Sequence, residues 1–138
     1  MDKLIGISGF ARSGKDTLYN SCAKILQEKG KKTIRFAFAD ALKNECDNFL
    51  KKHVGISAFT EDNKEKEIIR PFLVTYGTDI RRKLDQNCWI KTIQGEVEDY
   101  LSKDYYVFIT DVRFKNEADW VNINGGSLVN LSREGFGP

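Results

Sequence analysis

"SGFARSGKDT", residues 8–17, decides how the rest of the chain is read. Gly9 and Gly14 bracket four residues and Lys15 follows, the spacing of a loop whose backbone amides cradle phosphate. Such a loop needs a strand before it and a helix after it. Residues 3–8, "KLIGIS", are a short apolar run that reads as a buried strand. From Gly14 to Lys29 the residues Leu18, Cys22, Ile25 and Leu26 recur at helical spacing until Gly30 stops them. In that setting both glycines open backbone angles closed to other residues, and the helix aims its positive end at the same point. Ser13 lies on the loop, and Lys15 is within reach of β- and γ-phosphate oxygens. One position departs from the rule. Asp16 stands where a Ser or Thr hydroxyl usually binds Mg²⁺, and Thr17 comes one place late. A carboxylate is also a hard oxygen ligand. Asp16 therefore reads either as a metal ligand or as a stabiliser of the helix's first turn, while Thr17 offers a hydroxyl and an amide to the α- or β-phosphate. Arg12, on the loop's crown, reads either as a group beside the transferring phosphate or as a solvated arginine.

Further along, strands and helices alternate. "TIRFAFA", 33–39, reads as a second strand, and 40–53 as a helix through Leu42, Cys46, Phe49 and Leu50. Residues 55–67, "GISAFTEDNKEKE", are polar and without period, and read as a mobile loop that closes over a site. Pro71 suits the first turn of a helix that continues through Phe72, Leu73, Tyr76 and Ile80, with Gly77 as its weak point. Asp85 or Asn87 caps the next helix, whose face is Ile90, Ile93, Val97 and Leu101. "YYVFITD", 105–111, is the strongest strand, almost continuously apolar as in sheets covered on both faces. A helix follows from Glu117 to Asn124, Gly125 and Gly126 end it, and "SLVNLS" is a fourth strand. This order predicts an α/β domain with a parallel sheet of about four strands.

The bulk composition fits one soluble domain: 138 residues, 41% hydrophobic and 30% charged. The net charge of +2 argues neither for nor against a polyanionic partner, but no basic block of the kind that binds nucleic acid stands out, and no nucleic-acid polymer is expected as partner. The three cysteines, Cys22, Cys46 and Cys88, form neither a metal spacing nor a disulfide framework, which suits a reducing cytoplasm. His53 has no partner at ligand spacing, and no apolar run suggests a membrane span.

A second substrate would bind at the C-terminal edge of the sheet, where ligands sit in open α/β folds. "FADALK" follows the second strand there; Lys43 could hold an acceptor phosphate, and Asp40 reads as a helix cap. Arg70, Arg81 and Arg82 crowd the middle helices, either solvated or gripping a phosphorylated acceptor. In "ITDVRFKNEADW", Asp111 ends the central strand, where an acidic group orients Mg²⁺ in phosphate-loop enzymes. Arg113 emerges beside it, as a catalytic cation or as a structural partner of Asp111, and Glu117 comes a turn later. Trp120 reads as packing. Trp89 reads either as packing or as the wall of a base site.

With these residues in view, the chain resembles the deoxynucleoside monophosphate kinases of tailed bacteriophages, within the phosphate-loop kinase superfamily. The resemblance rests on "SGFARSGKDT", "FADALK", "RPFLVTYGTDIRRKLDQNCWIKTI", "ITDVRFKNEADW" and "GGSLVNLSREGFGP", in that order. It implies a three-layer nucleoside monophosphate kinase fold over 1–138 as one domain, and cytoplasmic transfer of the γ-phosphoryl of ATP to a deoxynucleoside monophosphate, with Mg²⁺. It places Gly9, Arg12, Ser13, Gly14, Lys15, Asp16, Thr17 and Arg133 around ATP. It places Leu42, Lys43, Arg70, Gly77, Thr78, Arg82, Trp89, Asp111, Arg113 and Glu117 around the acceptor. Lys15, Arg12, Asp111 and Arg113 would carry the chemistry, and Asp16 and Asp111 the metal. Relatives continue beyond "SREGFGP" with a further strand, and a homodimer is allowed for. Two other readings stand beside this one: a kinase of another phosphorylated acceptor such as phosphomevalonate, whose loops also read Gly-Lys-Asp, and an inactive nucleotide-binding module.

Overall fold

The computed structural model describes residues 3–9 and 14–131. Four strands form one parallel sheet: β1 (Leu4–Ser8), β2 (Lys32–Phe36), β3 (Tyr105–Ile109) and β4 (Ser127–Asn130), in the order β2-β3-β1-β4. The best apolar run, β3, takes a central place, and Val107, Phe108 and Ile109 are all buried. Covering both faces requires helices on both, and the register shows which. Ile5 pairs with Phe108 and Gly6 with Ile109, so these pairs point to opposite faces. On the first face α1 (Lys15–Glu28) sets Tyr19 edge-on against Phe108, with ring centroids 5.2 Å apart. On the other, α5 (Lys115–Ile123) brings Val121 over Gly6, and Tyr100 of α4 (Cys88–Ser102) meets Phe36. The result is a three-layer α/β arrangement. Leu4, Ile7, Val107, Ile109 and Val121 are fully buried in it, each stabilising the fold by about 1.5–3 kcal/mol.

The chain divides into two compact units, Met1–Phe38 with Ile93–Pro138, and Ala39–Thr92. The first holds the sheet. The second is helical: most of α2 (Phe38–His53), α3 (Asn63–Val74), a π-helical segment (Thr75–Arg82) and the start of α4. Its core is Cys46, Leu50, Ala58 and Ile69, flanked by Leu42, Ile56, Phe72, Leu73 and Tyr76.

Three boundaries differ from the sequence reading, each for a physical reason. The second strand ends at Phe36, and α2 begins at Phe38 rather than residue 40. The Phe38 amide is capped by Asp111, 73 residues away, so no local signal marks the start. Residues 63–67 are helix, not loop. Asp62 caps α3 by accepting the amides of Lys64 (2.8 Å) and Glu65 (3.2 Å), and the aperiodic polar residues are its solvent-facing first turns. Pro71 sits inside α3, not at its start. Both it and Glu67 are exposed, so water can take the carbonyl that Pro71 cannot serve. Beyond it the Thr75 amide is shared between Phe72 and Pro71 carbonyls, and the backbone widens into the π-helical segment.

The turn before α3 is also pinned. Asp47 accepts the Ser57 hydroxyl (2.8 Å) and the Ala58 amide (2.9 Å), and pairs with Lys51 at 3.0 Å. The Ser57 hydrogen bond, with help from Lys51 and the Ala58 amide, holds the Asp47 carboxyl below its ordinary value. A depressed carboxylate contributes stability above its unfolded-state pKa and loses it as pH falls through the folded-state one. The stability gap between the wild type and Asp47→Asn is therefore expected to be full at neutral pH and to shrink as pH drops below 3.8, followed by thermal melts across pH. A second expectation concerns Gly126. A Cβ there would lie 2.8 Å from the Leu4 carbonyl oxygen and 2.9 Å from that of Val121, backbone atoms that cannot step aside. Gly126→Ala should destabilise by about 1–3 kcal/mol, read as a lower urea midpoint at unchanged slope.

Candidate functional site

The glycine-rich turn leaves β1 at Ser8 and enters α1 at Lys15. Gly14, the cap, has φ 94° and ψ 24°, a left-handed conformation that a side chain would strain. Its carbonyl accepts the Leu18 amide at 2.9 Å and so starts the helix. The Lys15 ammonium donates to the Gly9 carbonyl at 3.1 Å, bridging the two ends of the turn. That partner is neutral, so the lysine keeps its charge available to an anion at the helix's positive end. Asp16, with its side chain 73% exposed, pairs with Arg35 of β2 at 3.2 Å. An ion pair this exposed is screened and worth little, so it can yield to a competing cation. Thr17 is exposed. Arg12, Ser13 and Arg133, placed at the nucleotide from the sequence, lie outside the described residues.

The end of β3 builds a second feature of the same unit. The chain leaves the strand through Thr110, Asp111, Val112 and Arg113, stitched by Thr110 N–H to the Phe36 carbonyl and Val112 N–H to the Ile7 carbonyl, both 3.0 Å. Asp111 lies just past the strand, in this turn, and its Oδ1 accepts the Phe38 amide at 2.7 Å. Arg113 is exposed beyond it. Glu117 is buried at 3% exposure, and its Oε1 accepts the amides of Arg113 (2.9 Å) and Phe114 (3.0 Å). Glu117 thus acts on the backbone and fixes the course of the turn that carries Asp111 and Arg113. Trp120 packs edge-on to Phe38 at 6.3 Å.

In the helical unit the proposed acceptor residues fall into two groups. Lys43 and Arg70 line one cavity of about 210 Å³, together with Lys66 and Thr60 over an apolar floor of Ile69 and Leu73. Leu42, Gly77 and Trp89 instead pack on one another. A Cβ at Gly77 would meet Leu42 Cδ2 at 2.8 Å, and the buried Trp89 donates its indole N–H to the Gly77 carbonyl at 3.3 Å. The Arg81 guanidinium lies 5.0 Å from the Trp89 ring and pairs with Glu45 at 3.0 Å. The Tyr76 hydroxyl also donates to Glu45; that bond, then burial, pushes its pKa up to about 12. Thr78 is exposed, and Arg82 half-buried, on the π-helical segment. Lys66 escaped the sequence reading because 55–67 read as loop. The signal that would have found it is Asp62 followed by Glu65, a helix start that puts Lys66 and Arg70 one turn apart.

Among the described residues no three His, Cys, Asp or Glu side chains gather as a metal cage. Mg²⁺ in phosphate-transfer sites takes one or two carboxylates and completes its shell with phosphate and water, which is the donor chemistry Asp16 and Asp111 offer. No described helix is long and apolar enough to cross a membrane.

The sequence model of the phosphomevalonate kinase family matches residues 7–126, from the end of β1 through the Gly125-Gly126 turn. The chain belongs to this kinase family. It is also similar to a protein of Acanthamoeba polyphaga mimivirus named "Putative deoxynucleotide monophosphate kinase", 32% identical over 151 residues, covering 96% of this chain and 75% of that protein. The matched span holds the turn at Gly14 and Lys15, the cationic cavity and the Asp111 turn within one kinase family.

Replacing Glu117 by Ala would leave two amides without their buried acceptor. Glu117→Ala is expected to cost about 1–3 kcal/mol in stability, with Glu117→Gln milder because its carbonyl oxygen still accepts; chemical denaturation of the three proteins checks this.

Proposed function

We propose that the chain transfers the γ-phosphoryl group of ATP to a deoxynucleoside monophosphate, giving the diphosphate. The observation that carries the phosphoryl-transfer reading is Lys15, the first residue of α1, which follows the left-handed Gly14 and donates to the Gly9 carbonyl just past β1. The mimivirus relative's name supports the nucleotide as acceptor. The family match supports phosphomevalonate as acceptor with equal weight, and that is the second reading.

The proposed chemistry is one of positioning and charge. Lys15 and the main-chain amides entering α1 hold the donor phosphates. Bound Mg²⁺, which Asp16 and Asp111 would hold, supplies neutralisation of donor phosphate charge. Arg12 and Arg113 draw charge from the equatorial oxygens of the transferring group. Lys43 and Arg70 grip the acceptor's own phosphate. That phosphate is already an anionic nucleophile near neutral pH, so no general base is required. Glu117 keeps the Asp111 turn in place.

Purified protein with MgATP is expected to produce diphosphate from one or more deoxynucleoside monophosphates and not from phosphomevalonate. The opposite preference would establish the second reading. Lys15→Met should lower kcat by about a hundredfold or more, since its ammonium acts on charge that grows in the transition state. Unchanged turnover in that variant would overturn phosphoryl transfer at this loop.

A further inference from the structure

The cationic cavity of the helical unit holds one more positive group than the acceptor residues account for. Lys66 and Arg70 stand one turn apart on α3, so they share a face, and Lys43 reaches the same cavity from α2. Like charges at this spacing repel within a helix, and such a pair is usually relieved by a neighbouring carboxylate. The same unit does this elsewhere: Lys51 pairs with Asp47, Arg81 with Glu45 and Lys91 with Asp85. Among the described residues, no carboxylate lies within ion-pairing distance of Lys43, Lys66 or Arg70. Of the two acids that flank Lys66, Glu65 accepts the Thr60 hydroxyl at 2.5 Å and Glu67 is exposed. Besides the three cations the cavity is lined by Thr60 and by the apolar Ala58, Ile69, Leu73 and Val74. Lys43 is half-buried and Lys66 and Arg70 are exposed, so the three cations are partly screened by water, and none of them is held in an ion pair among the described residues.

We infer that Lys66 is a third binding group for a phosphomonoester dianion in this cavity, and that it sets affinity for the acceptor rather than the rate of transfer. Lys43, Lys66 and Arg70 together take the two negative charges of a terminal phosphate. The rim of the pocket is fixed in advance by Asp47 on the Ser57 turn and by the Asp62 cap of α3, so little ordering is needed when the anion arrives. The identity of that anion as the acceptor's phosphate rests on the proposed function; the anion site itself does not.

The test compares wild type, Lys66→Ala, Lys66→Arg and, as a control of equal charge change at an exposed lysine of the same helix that does not line the cavity, Lys64→Ala. Inorganic phosphate and the common deoxynucleoside monophosphates are titrated without ATP, by ³¹P NMR and calorimetry, and steady-state kinetics follow with MgATP. Lys66→Ala is expected to weaken monophosphate binding and raise acceptor KM about tenfold, with kcat and the KM for ATP changed by no more than about twofold. Lys66→Arg should restore most of the affinity, and Lys64→Ala should match the wild type. Equal binding by Lys66→Ala and wild type, or equal losses in Lys66→Ala and Lys64→Ala, would overturn the inference. Lys66-dependent phosphate binding without diphosphate formation would remove the proposed function and leave the anion site standing. Nucleotide turnover indifferent to Lys66 would do the reverse.

Discussion

Parallel pairing of β1 with β3 is the constraint on which the sheet-bearing unit depends. Leu4, Ile5 and Gly6 lie beside Val107, Phe108 and Ile109, so both strands finish at the same edge. The glycine-rich turn and the Asp111 turn are consequently neighbours by topology, although about a hundred residues separate them in sequence. The Val112 amide on the Ile7 carbonyl carries that pairing past the end of β3. Gly6 is part of the same constraint. A Cβ there would meet Leu128, Val112 and Val121 at 2.9–3.2 Å, so its absence lets α5 and β4 close over the strand that leads into the loop.

Carboxylates in this protein work first on the backbone. Asp111 takes the leading amide of α2, Glu117 takes two amides of the turn before α5, and Asp62 takes two amides of α3. Asp47 takes the Ala58 amide. Buried or half-buried amides at helix starts and turns need acceptors, and acids placed there meet that need while favouring the helix dipole. Asp111 and Glu117 lie in a stretch that the sequence reads as catalytic, yet the geometry shows their structural duty plainly. In both residues the amide contacts hold the turn on which the proposed site residues stand.

The sheet was legible because its signals are local. β3 is continuously apolar, β1 runs directly into the glycines, and Gly125-Gly126 punctuates the step into β4. What was not legible depends on distance or on a face. The start of α2 is set by Asp111 from another strand, so "FAFA" looked like a strand continuing to residue 39. The start of α3 hid in plain sight: its first turns carry only polar side chains, so no apolar period exists, and only the Asp62 cap betrays it. The backbone widens after Val74, a few residues past Pro71, and within that segment Gly77 sits close against Leu42, a tertiary fit that no spacing encodes. Lys43 and Arg70, which the sequence reading sets at the acceptor, share a cavity, and Leu42 and Trp89 from the same reading both meet Gly77. Lys66 was lost with the helix that carries it.

The bare cations around the cavity have a practical consequence. Cations that line a cavity without an ion pair leave a place for an anion, and any multivalent anion that binds there favours the folded form by mass action. Heat resistance then doubles as a gauge of occupancy. It also makes buffer choice part of the biochemistry, since under the proposed acceptor reading phosphate or sulfate in the tube would compete for the same cavity and mask the affinity being measured.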